Sequence, residues 1–342
     1  MMPEISVIIA NWNGKHFLDD CLSALRRQTF RDFETILVDN GSTDGSPEYV
    51  RANFPEVRLL ALKENLGFTG GNIAGYKLAG GSLIALLNND TEAHSEWLQA
   101  IHNGSLLFEH AGSFASKMMY FDERRRIENC GFEMAITGTP IELGRDEPDG
   151  PEWCSPRNIF GGCGGAVAYR RSMLNDVGFL DPDFFMIFED VDLSFRAQLS
   201  GYDCVYLPQA IVYHHYRSTI KKRPAVQVFY AQRNIEFVYL KNLPLGFLVR
   251  SVPLRLLYEV GAAVYFCRLG AGAAFFRAKL DALKRLPSVL RKRGTIQKRK
   301  VVTNLKLRAL LQGSAFFSKW RKFLTTAKTP VATNFEFHSR KQ

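Results

Sequence analysis

Acidic side chains almost disappear from the last third of this chain. From Arg217 to Gln342 only Glu236, Glu259, Asp281 and Glu336 stand against 27 Lys and Arg, a net +23; residues 1–216 carry 17 bases and 30 acids, a net −13. The overall +10 therefore joins two objects of opposite sign. Cysteine is also sparse. Cys21, Cys130, Cys154, Cys163, Cys204 and Cys267 form no C-x-x-C pair. That spacing suits neither a zinc knuckle nor a disulfide framework, and it points to reduced thiols in a cytoplasmic protein. No long uncharged apolar run occurs: Arg250, Arg255, Glu259 and Arg268 break the greasy stretches before the roughly 18 residues that a spanning helix needs. The opening MMPEISVIIANWNG puts an acid before an apolar run of only Val7–Ala10, so a signal peptide is not expected. A G-K-[ST] phosphate loop is missing as well.

What is present can build a core. Hydrophobic residues make up 46% of the 342 positions, which excludes general disorder and leaves room for two domains, or one with an extension. The first part alternates strand and helix signals. ISVIIAN (5–11), FETILVD (33–39), VRLLAL (57–62) and SLIALLN (82–88) read as strands. KHFLDDCLSALRRQT (15–29), SPEYVRAN (46–53) and a segment near 72–79 read as helices. This alternation predicts an α/β fold with a mostly parallel sheet, whose ligands bind at the carboxyl ends of the strands. Residues 94–110 predict a helix, 113–170 shorter strands and loops, 190–201 a helix, and 204–215 a strand pair or extended segment. Beyond about Ala225 the segments are helical, apolar and basic. An apolar face combined with Lys and Arg points to helices lying in a membrane interface.

Four stretches fall at strand ends: NWNG (11–14), VDNGSTDGS (38–46), ENLGFTGGNIAG (64–75) and LLNNDTE (86–92). Asp39 can accept a hydrogen bond from a nucleobase, although D-N-G-S-T-D-G equally suits a turn. Gly67, Gly70 and Gly71 allow a close approach of backbone to ligand, and Asn65 and Asn72 add donors, although the loop is not G-x-G-x-x-G. Asp90 can hold a hard cation or simply cap a turn. FFMIFEDVDL sets Glu189, Asp190 and Asp192 beside an apolar approach. Helix-dipole capping accounts for one acid there and not for three. The functional alternative is a general base at the rim of an acceptor pocket, with Asp192 as an exposed first-turn residue. In VYHHYRS, strand alternation turns His214 and His215 to opposite faces.

SVIIANWNG, VDNGSTDGS, ENLGFTGGNIAG, LLNNDTE, GGCGGAVAYRR, FLDPDFFMIFEDVDLSFRAQLSGY and IVYHHYRS, in this order over about residues 4–218, resemble the family 2 glycosyltransferases of the GT-A (Rossmann-like) fold, in the rhamnosyltransferase-like branch that builds surface polysaccharides. The resemblance implies a GT-A domain over 1–222, with a nucleotide-binding half (1–92) and an acceptor half (93–222), followed by a basic helical region (223–342). It implies that Asp39 reads the nucleobase near Asn11 and Asn13, and that Asn65, Gly71, Asn72 and Asn89 line the nucleotide-sugar pocket. Gly161, Gly162 and Gly164 would lie on the acceptor side. Asp190 would be the catalytic base, with Glu189 orienting the acceptor. Asp90 and His214 would hold Mn²⁺ or Mg²⁺. The family's D-x-D motif is here Asn88-Asn89-Asp90, without its first acid.

The implied activity is inverting transfer from a nucleoside-diphosphate sugar, dTDP-rhamnose or a UDP-hexose, to a hydroxyl of a glycan or lipid-linked acceptor, on the inner face of the cell membrane. A catalytically inactive nucleotide-sugar-binding scaffold at the membrane is the alternative; retention of Glu189, Asp190 and His214 speaks against it. Nucleic acid is not an expected partner, because the aromatics of the basic region sit in apolar helices and the acidic first part repels phosphate backbones. A sugar nucleotidyltransferase would need a Gly-rich basic loop after the first strand, which NWNGKHF does not supply.

Overall fold

A computed structural model of the chain describes residues 2–215 and 224–312. The expected boundary at 222/223 and the last twenty residues lie outside them. The chain divides into two compact units, one of residues 2–134, 140–215 and 299–311, the other of residues 135–139, 224–298 and 312.

The first unit opens with the expected alternation: β1 (Ile5–Asn11), α1 (Lys15–Arg26), β2 (Phe33–Asp39), α2 (Ser46–Asn53), β3 (Arg58–Ala61), α3 (Gly67–Tyr76) and β4 (Leu83–Leu87). The rhythm then changes through β5 (Thr91–Ala93), α4 (Trp97–Leu107), β6 (Ala111–Tyr120), β7 (Ile127–Asn129), β8 (Phe132–Ala135), β9 (Pro140–Glu142), β10 (Arg157–Ile159) and β11 (Ala166–Arg170). It continues with α5 (Arg171–Val177), α6 (Glu189–Leu199) and β12 (Asp203–His214). Residues 204–214 thus form one strand with an irregularity between Leu207 and Ile211, not a strand pair. In the second unit α7 (Pro224–Asn242) packs on α9 (Gly272–Lys284) and α10 (Leu286–Lys298), and α8 (Leu245–Arg268) packs on α9. A short α11 (Asn304–Leu310), capped by the Thr303 hydroxyl, belongs to the first unit.

The sheet runs β10-β12-β6-β11-β4-β1-β2-β3, with β5 beside β12 and β7 beside β6. β3, β2, β1 and β4 are mutually parallel, β11 is antiparallel between β4 and β6, and β6 and β12 are parallel again. Both faces are covered, so the central strands are almost continuously apolar. Along β1, Ile5, Val7 and Ile9 pack with Leu18 and Leu22 of α1 and Trp97 of α4. Ile8, on the other face, packs with Met173 of α5 and Leu193 of α6. This topology brings the ends of β1, β2, β4 and β12 and the start of β11 to one edge.

A buttress steadies that edge. Gly67 starts α3 at φ +74°, and a Cβ there would lie 2.2 Å from the Phe185 carbonyl oxygen. The same oxygen accepts the Thr69 N–H at 3.2 Å. The apolar stretch before α6 is therefore seated on the glycine-rich loop. Gly67→Ala should cost about 2 kcal/mol through left-handed strain and displacement of Phe185. Urea unfolding would measure it, and an unchanged midpoint would refute the buttress.

Candidate active site

The residues expected on the nucleotide side form one hydrogen-bonded chain at the edge. Asn11 and Asp39 are register partners at the ends of β1 and β2, and Asn11 Nδ2 donates to Asp39 Oδ1 at 3.0 Å. Asn89 Nδ2 donates to Asn11 Oδ1 at 2.7 Å. The second Asp39 oxygen accepts the Ser42 N–H at 2.9 Å, and the Ser42 hydroxyl accepts the Asn13 N–H at 2.8 Å. Asn13 Oδ1 in turn accepts the Thr43 N–H at 2.8 Å. Asn11 and Asp39 are buried, so in this arrangement they shape the loop rather than protrude from it.

In the glycine-rich loop the asparagines also engage backbone. Asn65 Oδ1 accepts the Gly67 N–H at 2.8 Å, and Asn72 Nδ2 donates to the Phe68 carbonyl at 2.9 Å. Asn40, which the sequence did not single out, donates to the Gly67 carbonyl at 2.9 Å. A Cβ on Gly71 would come within 2.7 Å of Asn40 Nδ2 and 3.1 Å of Ala10 Cβ, so its bareness lets α3 close on the strand ends.

The two acids that open α6 have different surroundings. Asp190 Oδ2 accepts the Gly164 N–H and Oδ1 the Val191 N–H, both at 2.7 Å. Burial pushes the Asp190 carboxyl up from the usual range, opposed by those N–H donors. Glu189 is only 5% exposed and its Oε2 has no partner. Burial, then the Asp190 charge, pushes it well above the usual range. Both carboxyls are thus pushed upward by burial, and Asp190 alone has N–H donors that oppose the push. Asp192 is not an exposed first-turn residue: it is fully buried and pairs with Arg196 at 2.9 Å. Arg196 also donates to the carbonyls of Val177, Gly178 and Phe179, a burial of a cation that one-dimensional spacing does not reveal.

Just before these acids Ile187 (φ +69°) and Phe188 (φ +71°) both occupy the left-handed region. A β-branched residue there is an outlier, and such strain persists only where the surroundings impose it. Here it re-aims the chain so that α6 begins with Asp190 facing Gly164.

The glycines of GGCGG have separate jobs. Cβ atoms on Gly161 and Gly162 would strike Ser194 Oγ at 2.3 Å and Val167 Cγ2 at 2.7 Å, so both serve close packing. Gly164 holds the Asp190 carboxylate. Its neighbour Gly165 accepts the Asn88 N–H at 2.9 Å, which ties the Asn88-Asn89-Asp90 corner to the same loop.

At that corner His214 Nε2 lies 3.2 Å from Asp90 Oδ1, and His214 Nδ1 lies 2.9 Å from Glu128 Oε2. Burial lowers the His214 pKa, but the hydrogen bonds to Asp90 and Glu128 outweigh it and raise it to about 10. Glu128, on β7, is buried and also faces Arg145 at 3.5 Å. Nothing in RIENCG marked it, because its partner is 86 positions away and the two meet only through β6. His215 turns away and stacks on Phe121 at 3.6 Å.

Comparison with known proteins matches this architecture. The family described as "Glycosyl transferase family 2" matches residues 6–178, and "Glycosyl transferase family group 2" matches 145–260. An N-acetylglucosaminyl-diphospho-decaprenol L-rhamnosyltransferase of Mycobacterium tuberculosis is 29% identical over 260 residues, covering 66% of this chain and 80% of its own length. Among solved structures, GalNAc-T7 with UDP, GalNAc and Mn²⁺ is similar with a TM-score of 0.52 at 16% identity, over 70% of this chain and 51% of that one. A mannosyltransferase from Pyrobaculum calidifontis, in complex with GDP-Man and Mn²⁺, is similar with a TM-score of 0.50 at 15% identity, over 83% and 88%. The fold is GT-A.

Because His214 is raised from 6.5 to about 10, its charged pairing stabilises the metal-free protein fully below about pH 6.5, and that contribution is lost as pH rises through about 10. Urea midpoints across this range should fall for the native chain and stay flatter for His214→Gln. Parallel curves would remove the triad from the stability account.

Proposed function

The chain belongs to glycosyl transferase family 2, in its rhamnosyltransferase-like branch, and on that premise we propose that it transfers a sugar, with inversion, from a nucleoside-diphosphate sugar to a hydroxyl of a glycan or lipid-linked saccharide. The observation that supports this most is the geometry around Gly164 and Gly165. One residue fixes a half-buried carboxylate and the next fixes the Asn88-Asn89-Asp90 corner, which supports a reading in which proton removal and leaving-group binding would lie on adjoining backbone.

In this reading Asp190 accepts the proton of the acceptor hydroxyl, and the freed oxygen attacks the anomeric carbon opposite the departing nucleoside diphosphate. Glu189 lies buried next to it in sequence, its carboxyl pushed upward by burial and by the Asp190 charge, and would orient the acceptor. Asn11, Asp39 and Asn13 shape the loop that would receive the base, and Asn65, Gly71, Asn72 and Asn89 the floor beneath the sugar and diphosphate. Gly161, Gly162 and Gly164 shape the acceptor side.

Asp90 and His214 fit a divalent cation in donor chemistry: a carboxylate oxygen and an imidazole nitrogen face each other at 3.2 Å. Among the described residues no group of three His, Cys, Asp or Glu side chains could hold a metal, so oxygens of the diphosphate would complete its shell. Such a cation supplies positive charge against that developing on the leaving diphosphate. Glu128 would orient the His214 ring through Nδ1. dTDP-rhamnose leads the donor candidates and UDP-hexoses follow, by similarity to the rhamnosyltransferase relative. The basic charge of the second unit supports work at the anionic cytoplasmic face of a membrane.

Asp190→Asn should lower transfer by about 10²- to 10⁴-fold while leaving nucleotide binding intact. Full activity in that variant would exclude Asp190 as the base. Thermal stabilisation by UDP, dTDP or GDP, with and without Mn²⁺, would identify the donor class; no shift with any nucleotide would favour a non-catalytic role. Glu128→Leu should weaken Mn²⁺ binding about 10- to 100-fold, read by titration of free Mn²⁺.

A further inference from the structure

Helix α8 buries a charged group alongside Phe247 and Ala262 and leaves a long apolar row exposed. Its inward side carries Arg255, only 5% exposed, and Glu259, joined to Glu236 of α7 and Lys279 of α9. Arg255 contacts Glu236 at 2.5 Å and Glu259 at 2.7 Å, Lys279 contacts Glu259 at 2.7 Å, and the fourth pair, Lys279 with Glu236, closes the cluster. Arg255 also donates to the Thr137 carbonyl at 3.0 Å. The outward side carries Leu245, Val249, Val252, Leu256, Val260 and Val264, spaced by three or four residues and between 39% and 66% exposed. Single exposed apolar residues are ordinary, but a helix-long row of them marks an interaction surface.

Charge identifies the occupant. Arg250 and Arg268 are exposed on α8, and α9 exposes Phe276, Leu280 and Leu283 together with Arg277 and Lys284. The acids of α7 to α10 are Glu236, Glu259 and Asp281, and each is ion-paired. The described surface of these helices thus offers hydrocarbon and cations without an uncompensated carboxylate. A second copy would bring the same positive charge against itself. An anionic lipid leaflet supplies both missing partners, acyl chains for the row and headgroups for the arginines. No helix of the described residues is long and apolar enough to cross a membrane, so on a leaflet α8, about 36 Å long, would lie in the plane.

We propose that the outward face of α8 docks on an anionic lipid leaflet by inserting its apolar row into the interface. This deepens, and rests on, the reading that the chain works at a membrane. It differs from adsorption through scattered basic residues, because insertion survives salt that screens charge.

The test is flotation of the full chain on phosphatidylcholine vesicles with and without phosphatidylglycerol, at low and high salt. It compares the native chain with Val249→Asp/Leu256→Asp/Val260→Asp and with a Ser version of the same triple variant, each checked for folding by circular dichroism. The native chain should float on the anionic vesicles at both salt levels, and both variants should lose at least about tenfold in partitioning. Equal flotation of native and variant chains would overturn the α8 face and leave the membrane reading standing. Complete release of the native chain by salt would overturn insertion in favour of adsorption. No flotation of any form would remove both readings. A native dimer that the variants abolish, without flotation, would assign the face to a second copy instead.

Discussion

The Asp190 carboxylate, held by the N–H groups of Gly164 and Val191, is the contact toward which the first unit converges. It needs β11 to start where β4 ends, because Ala166 pairs with Leu87 and so brings Gly164 to the edge. It needs the left-handed turn at Ile187 and Phe188, since an ordinary helix entry would point α6 elsewhere. That turn in turn needs Phe185 seated on a residue without a side chain, Gly67. Three distant segments of sequence therefore share responsibility for one carboxylate.

Much of the fold was legible in the sequence because its signals are local. Runs such as ISVIIAN and FETILVD are apolar because both faces of their strands are covered, and the Ser–Pro start of α2 is a local preference. The edge that gathers the site followed from strand alternation alone. The acids beside FFMIF were readable as a group, but not their division of labour. Asp192 looked like a surface residue because its neutralising partner, Arg196, is buried by segments that a linear reading cannot place. Glu128 and Asn40 were invisible for the same reason: one lone acid and one turn asparagine acquire meaning only through strand pairing. Asn65 and Asn72, read as ligand donors, also bond to backbone, a feature that residue type cannot decide.

The second unit sets a charged cluster alongside its buried apolar residues, among them Ile235, Phe237, Leu243 and Phe275. Three of its helices contribute charges to the cluster of Glu236, Arg255, Glu259 and Lys279. Charges inside a protein are tolerated only when each finds its counter-charge, and removing one member leaves the rest uncompensated. Such a cluster gains little over apolar packing in stability. It is neutral by itself, two acids against two bases, so the net positive charge of these helices is carried by residues outside it.

The imidazolium of His214 sits between Asp90 and Glu128 with a pKa of about 10. At neutral pH it is a built-in counter-ion, so two carboxylates can wait at the edge without repelling each other. In the proposed metal-bound state a divalent ion on Nε2 would replace that proton, so the local charge would rise by one rather than two. A negatively charged substrate would therefore meet one added positive charge on loading, half of what the ion brings, because the departing proton carries the other half away.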